Sequence, residues 1–167
     1  MVGYPGAGKT TTSRMIHKLT GAVHLWADHE RNKLFANPTH SHEENLQLYD
    51  ALNKRAQELL HEGKSVIFDT NFNFYKDREK LRKIAAAEGA KTVLVWMTTP
   101  RDVARERAVN HPLTGEHHRV WGNMPLESFE RIAGNLEEPR PEEQPIKLEG
   151  IGLTEQAIAR ALGLQVA

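Results

Sequence analysis

Apolar residues along the chain fall into two kinds of pattern, short continuous runs and stripes at helical spacing. Val23-His24-Leu25-Trp26, Ser65-Val66-Ile67-Phe68, Thr92-Val93-Leu94-Val95-Trp96-Met97 and Ile146-Lys147-Leu148 are runs of the strand type, and residues 92–97 are the most strand-like. Met15, Ile16 and Leu19 form the first helical stripe, and Gly21 follows as its C′ glycine. Tyr49, Leu52, Ala56, Leu59 and Leu60 form a second stripe, closed by Gly63, and Leu81, Ile84 and Ala85 a third, stopped by Gly89. Thr99 and Pro100 read as the N-cap and first residue of a helix running through Val103, Ala104 and Arg107. Pro125 opens a helix with Leu126, Phe129, Ile132 and Leu136 on one side, and Thr154 caps a last helix using Ala157, Ile158, Ala161 and Leu162. Residues 110–124 are polar and aperiodic, with Pro112, Gly115 and Gly122, as a lid would be. Glu137 to Gln144 reads as an exposed connector. Strands alternating with helices predict an α/β fold: one domain over residues 1–167, with about five mostly parallel strands and helices on both faces.

The chain carries its strongest chemical signal before its first helix. Gly3-Tyr4-Pro5-Gly6-Ala7-Gly8-Lys9-Thr10 satisfies G-x-x-x-x-G-K-[ST] at every fixed position, and Thr11 follows. Glycines allow successive backbone N–H groups to turn around a phosphate, and the helix that begins there adds its positive end. Residues 3–11 are therefore the expected nucleotide-binding segment, with Lys9 reaching the β/γ-phosphates of ATP and Thr10 ligating Mg²⁺. The fold class narrows to a three-layer P-loop NTPase fold. Such a loop is normally fed by a buried strand of ~5 residues, whereas only Met1 and Val2 precede Gly3. The favoured expectation is a natural chain that starts earlier; the alternative is a clipped central strand.

Composition removes several function classes. Basic and acidic residues balance at 22 each, so no global field gathers a long nucleic acid or an anionic membrane, and nucleic acid is admissible only as a local acceptor end. The absence of cysteine excludes disulfides, thiolate zinc sites and cysteine nucleophiles, and fits a cytoplasmic protein. No apolar run approaches the ~18 residues of a membrane span. Nine histidines raise a metal reading at His40-Ser41-His42-Glu43 and His117-His118, but neither group has a third ligand at a diagnostic spacing.

Two carboxylates follow strands at the edge where open α/β sheets bind ligands. Asp69 ends the strand expected beside the first one and reads as the acidic partner of Mg²⁺ through water, with Asn71 in the loop that follows as a candidate substrate residue. Asp28 ends a more peripheral strand and suits a base that deprotonates an attacking hydroxyl. Either aspartate could instead cap the turn after its strand. Arg31 shares a helical face with Asp28, either to grip an anionic acceptor group or as a solvated surface arginine. Arg105, Arg107 and Arg119 flank or lie within the lid segment, where arginines can stabilise transferring charge, Arg107 first among them. Taken singly, each is also an ordinary surface charge.

The order of the Gly3–Thr10 loop, Asp28-His29-Glu30-Arg31, Val66 through Asn73 with Arg78 after it, Arg107 before the lid and Met124-Pro125 beyond it resembles the phage-type polynucleotide 5′-hydroxyl kinases. More broadly it resembles the AAA_33 and zeta-toxin-like small P-loop kinases, over nearly the whole chain. The resemblance implies Asp28 as general base, Arg31 on the acceptor's phosphate or another anion, Lys9 and Thr10 serving ATP and Mg²⁺, and Arg78 on the acceptor side. Arg107 would lie over the β/γ-phosphates. A second lid arginine is not evident, since Asn110 and His111 stand where it would be. The expected activity is transfer of the γ-phosphoryl group of ATP to an unidentified hydroxyl acceptor. The alternatives are a nucleotide-binding switch acting through a protein partner, and a toxin-like kinase with a cognate inhibitor.

Overall fold

The computed structural model of the chain describes residues 1–110 and 123–164. Its elements are α1 (Lys9–Thr20), β1 (Val23–Trp26), α2 (Ala27–Leu34), α3 (His42–His61), β2 (Val66–Asp69), α4 (Tyr75–Ala87), β3 (Val95–Met97), α5 (Arg101–Val109), α6 (Leu126–Gly134), a 3₁₀ turn at Pro141–Glu143, β4 (Ile146–Leu148) and α7 (Glu155–Ala161). Most of the segment expected to form a lid, residues 110–124, lies outside the described residues.

β1 pairs in parallel with β2, Trp26 opposite Asp69, and β3 pairs in parallel with β4, Met97 opposite Leu148. Met1 and Val2 lie between the two pairs. The Met1 amine donates to the Phe68 carbonyl of β2 at 3.2 Å. On the other side the Val2 amide donates to Val95 and the Met97 amide donates to Val2, both at 2.8 Å. The spatial order is therefore β1, β2, Met1–Val2, β3, β4, with the two-residue stub in the central position from which the Gly3 loop departs.

The apolar pattern sorts residues to the two faces of this sheet. Ile67, Val95, Met97 and Leu148 share one buried cluster with Ile16 of α1, Ala104 and Ala108 of α5, Phe129 and Ala133 of α6 and Ile158 of α7. Leu25, Phe68 and Val2 share the other with Leu48, Leu52, Ala56 and Leu59 of α3, against which Leu81 of α4 packs. Because side chains alternate along a strand, Ile67 and Phe68 serve opposite cores. Cap chemistry sets two helix ends as the sequence suggests, the Thr154 hydroxyl accepting from the Ala157 amide and Gly21 ending α1 in the left-handed region at φ 70°, and the Ser41 hydroxyl also caps α3 by accepting from the Glu44 amide.

Four readings of the sequence need correction. The strand expected over residues 92–97 is only Val95–Met97, since its neighbours are the two-residue stub and a three-residue strand; Val93 is left exposed. α5 begins at Arg101 with Pro100 at the cap position, and Thr99 does not cap it. A residue preceding proline is held extended, and the Thr99 hydroxyl is used elsewhere. Leu126 is exposed; the core face of α6 is Phe129 and Ala133. The connector at residues 137–144 is not simply solvated either. Glu143, with a fully buried side chain, receives Nε and Nη2 of Arg78 at 2.7 and 2.9 Å and Nη1 of Arg82 at 2.9 Å.

This buried cluster anchors the connector to α4. Burial by itself pushes the Glu143 carboxyl up, but hydrogen bonds from Arg78, the Arg140 amide and Arg82 outweigh it and hold the pKa at about 2. A depressed carboxylate contributes stability that is complete above its ordinary pKa of 4.5 and is lost as the pH falls towards about 2. Glu143→Gln is expected to cost about 3 kcal/mol at neutral pH, because it leaves Arg78 buried without its counter-charge. Urea denaturation at a series of pH values checks this: the gap between wild type and variant should narrow as the pH drops from about 5 towards 2.

Candidate functional site at the carboxyl edge of the sheet

Every segment that leaves the carboxyl edge carries a group of chemical interest: Asp28 after β1, Asp69 at the end of β2, the Gly3 loop after the central stub, Thr99 after β3 and Gly150 after β4. The loop itself is shaped by main-chain geometry. Gly3, Gly6 and Gly8 have φ of 143°, 79° and 98°, conformations that L side chains rarely adopt. Two of them also lack room for a Cβ. On Gly6 it would stand 2.1 Å from the Ala104 carbonyl oxygen of α5, and on Gly3 2.8 Å from that of Met97.

α1 starts at Lys9, immediately after the loop, so its positive end points to the concavity. Lys9 is largely buried and donates through Nζ to the Gly3 and Tyr4 carbonyls at 2.8 and 2.9 Å. Its ammonium thus lies across the mouth of the loop, where a phosphate oxygen would compete with those two carbonyls. Pro5 and Ala7 are buried, Tyr4 and Thr10 half-buried, and Thr11 exposed. The loop is closed internally by the Ala7 amide donating to Tyr4 at 3.1 Å.

On the other side of the edge, Asp28 lies in the first turn of α2, half-buried. The β1–β2 register puts Trp26 opposite Asp69, so Asp28 leaves the sheet beside the strand end that carries Asp69. The Asp69 carboxylate is buried and accepts from Nε2 of His24 at 3.0 Å. His24 and Trp26 are stacked with ring centroids 6.3 Å apart, Trp26 and His29 at 5.9 Å, and the Arg14 guanidinium stands 5.2 Å from the Trp26 centroid. Asn71 is exposed in the loop after β2, its carbonyl accepting from the Asn73 amide.

The arginines are placed differently from what their spacing suggested. Arg31 is not a solvated surface residue: it is buried, with Nη1 on the Glu44 carboxylate and Nη2 on Asn45 Oδ1 at 2.6 Å. Glu44 also accepts from the Thr39 amide at 2.6 Å, the Thr39 hydroxyl at 2.9 Å and the His40 amide at 3.2 Å. Burial pushes this carboxyl up, but these donors hold its pKa at about 2. Arg78 is likewise engaged by protein groups. Besides Glu143, its guanidinium serves the carbonyls of Phe72 and Glu137 at 2.9 and 3.2 Å. Arg107 donates to the Gly150 carbonyl at 3.1 Å, beside the loop. Arg105 is exposed, 3.9 Å from Glu130. Arg119 lies outside the described residues, as do His117 and His118. Among the described residues no group of three His, Asp or Glu is arranged to hold a metal ion, and no helix is long and apolar enough to cross a membrane.

Sequence reasoning missed Thr99, Gly150, His24 and the Arg14–Trp26 pair. The rule that singled out Asp28 and Asp69, a polar residue just past a buried strand, also fits Thr99. The N-cap reading displaced it. Gly150 is two residues beyond a strand at the same edge, where a close backbone approach is a ready explanation for glycine. His24 carried no signal of its own, because its partner is 45 residues away in the sequence.

This geometry defines a P-loop domain, and comparison with known proteins makes the assignment specific. The AAA_33 family model, described as an AAA domain, matches residues 1–139, and the chain belongs to that family. It is similar in structure to a gluconokinase from Sinorhizobium meliloti 1021, with a TM-score of 0.66, 19% identity and coverage of 96% of this chain and 85% of that one. The tunicamycin resistance protein of Deinococcus radiodurans gives a TM-score of 0.60 at 18% identity, covering 99% and 95%. The Mycobacterium tuberculosis APS kinase, solved with AMPPNP and APS, gives 0.54 at 25% identity, covering 64% and 65%. None of the curated proteins compared with the chain matches it in sequence.

Two glycines separate conformational strain from steric exclusion. Gly63, at φ 74°, has nothing within 4 Å of a Cβ position, whereas Gly6 meets the Ala104 carbonyl. Gly63→Ala is expected to lose about 1 kcal/mol of stability and keep its nucleotide affinity. Gly6→Ala must displace the loop or α5, and titration with a fluorescent ATP analogue should show affinity lower by at least roughly tenfold.

Proposed function

We propose that this protein is an ATP-dependent kinase that transfers the γ-phosphoryl group to a hydroxyl of a small molecule or of a nucleic-acid end. The observation that carries the reading is the pairing, at one sheet edge, of a phosphate loop built on Gly3, Gly6, Gly8 and Lys9 with the Asp28 carboxylate one strand beyond Asp69. A nucleotide switch has no use for a second carboxylate on the acceptor side.

In this reading the backbone amides of Gly6, Gly8, Lys9 and Thr10 hold the β- and γ-phosphates, and Lys9 exchanges its carbonyl partners for their oxygens. Asp28 accepts the proton of the acceptor hydroxyl as its oxygen bonds to the γ-phosphorus, while the bond to the bridging oxygen breaks and ADP leaves. Arg107, already beside the loop at Gly150, joins Lys9 in meeting the charge on the transferring group. Mg²⁺, when bound, would neutralise phosphate charge. Thr10 at the start of α1 and Asp69 are the residues suited to hold it, Asp69 through water, with His24 fixing the orientation of that carboxylate. Arg31 and Arg78, engaged with Glu44 and Glu143, shape the acceptor side from behind.

Radiolabel transfer from γ-labelled ATP across a panel of oligonucleotides, nucleosides, sugars and aminoglycosides tests the proposal. Lys9→Ala should abolish transfer. Asp28→Ala should slow it by roughly 10²–10⁴-fold while leaving ATP-analogue affinity nearly unchanged. Undiminished transfer in Asp28→Ala removes that residue from the chemistry, and ATP binding with no acceptor labelled anywhere would favour the switch.

A further inference from the structure

One buried hydroxyl joins the phosphate loop to the segment after β4, and the transfer chemistry above makes no use of it. Thr99 is 1% exposed. Its Oγ1 donates to the Ala7 carbonyl at 2.8 Å and accepts from the Gly150 amide at 3.0 Å. The carbonyl of Gly150 in turn receives Nη1 of Arg107 at 3.1 Å. The backbones here are in contact, for a Cβ on Gly150 would stand 2.2 Å from the Ala7 carbonyl oxygen and 2.6 Å from Thr99 Oγ1.

The consequence follows from peptide planarity. In a trans peptide the C=O and N–H point in opposite directions, so fixing the Ala7 carbonyl fixes the Gly8 N–H. With the carbonyl held outward under Thr99, that N–H is aimed to the inner side of the loop. Gly8 has no Cβ to resist a flip of this peptide, and it sits in the left-handed region at φ 98°. The direction of the amide has to be imposed from outside.

We propose that Thr99 is a positioning residue that locks the Ala7–Gly8 peptide with its N–H toward the bound phosphate. The chain Arg107–Gly150–Thr99–Ala7 ties that lock to α5. This inference rests on the reading of residues 3–10 as a phosphate-binding loop. It extends that reading to a residue outside the motif.

The test is titration of wild type, Thr99→Val, Thr99→Ala and Thr99→Ser with a fluorescent ATP analogue, alongside thermal melting without nucleotide. Thr99→Val keeps the shape and removes the hydroxyl, leaving the Ala7 carbonyl and the Gly150 amide buried without their partner. Affinity should fall by roughly tenfold in the two variants lacking a hydroxyl and stay within about twofold of wild type in Thr99→Ser. If Thr99→Val melts normally and binds as tightly as wild type, the proposal is overturned while the loop reading stands. If both hydroxyl-free variants unfold and Thr99→Ser is native, the hydroxyl serves the fold and the proposal is again overturned. If wild type itself does not bind the analogue, the loop reading falls and takes the proposal with it.

Discussion

The carboxyl edge of this protein depends on main chain approaching main chain more closely than any Cβ permits. Gly3 lies against Met97, Gly6 against Ala104, and Gly150 against Ala7, each with a carbonyl oxygen where a side chain would begin. These three contacts attach the loop to β3, to α5 and to the segment after β4. Glycine in the motif therefore meets two demands at once: a backbone conformation with positive φ, and space for a neighbouring backbone. The contacts are short in extent but involve peptide groups, which cannot give way as a flexible side chain can. The loop is accordingly held from outside on several sides, although its own residues are the most permissive in the chain.

Buried charge plays a complementary part away from the loop. The Arg31–Glu44 pair fixes the Thr39–His40 turn to the start of α3, and the Arg78–Glu143 pair fixes residues 137–143 to α4. Forming such pairs is close to neutral in free energy, because desolvation offsets much of the attraction, whereas breaking one strands a charge in the interior. Their value is geometric. Each gives an irregular segment one arrangement and satisfies backbone groups that have no helix or strand to pair with. Both clusters flank the elements that carry Asp28 and Asp69.

Much of this was legible in the sequence, for identifiable reasons. The stripes at Ile16, Leu52 and Leu59 and the runs at Val23–Trp26 and Val66–Phe68 reflect local periodicity, and the helices and strands fall where that periodicity places them. The phosphate loop was legible because its conformation is encoded by contiguous residues. What was not legible involves partners distant in the chain: Thr99 with Ala7, His24 with Asp69, Arg78 with Glu143. An arginine three residues after an aspartate has the same spacing whether it faces a ligand or a glutamate on the next helix. Arg31 shows that the second case holds here. The length of β3 was misjudged for a related reason, since a strand extends only as far as its neighbours do, and that is not a property of its own residues.

The same division bears on why the nucleotide side is the better defined half of the site. That side is built largely from peptide groups, held by the positive-φ glycines of the loop and by the Thr99 hydroxyl, with Lys9 across its mouth. The acceptor side of the proposed kinase is formed by side chains, Asp28, Asn71 and the His24–Trp26–His29 stack with Arg14 beside Trp26. None of the close contacts of the loop glycines runs through them. A fold arranged in this way keeps its donor chemistry while its acceptor changes. The acceptor of this protein is therefore to be sought in the shape and charge around Trp26 and Asp28 rather than in the motif that identifies the domain.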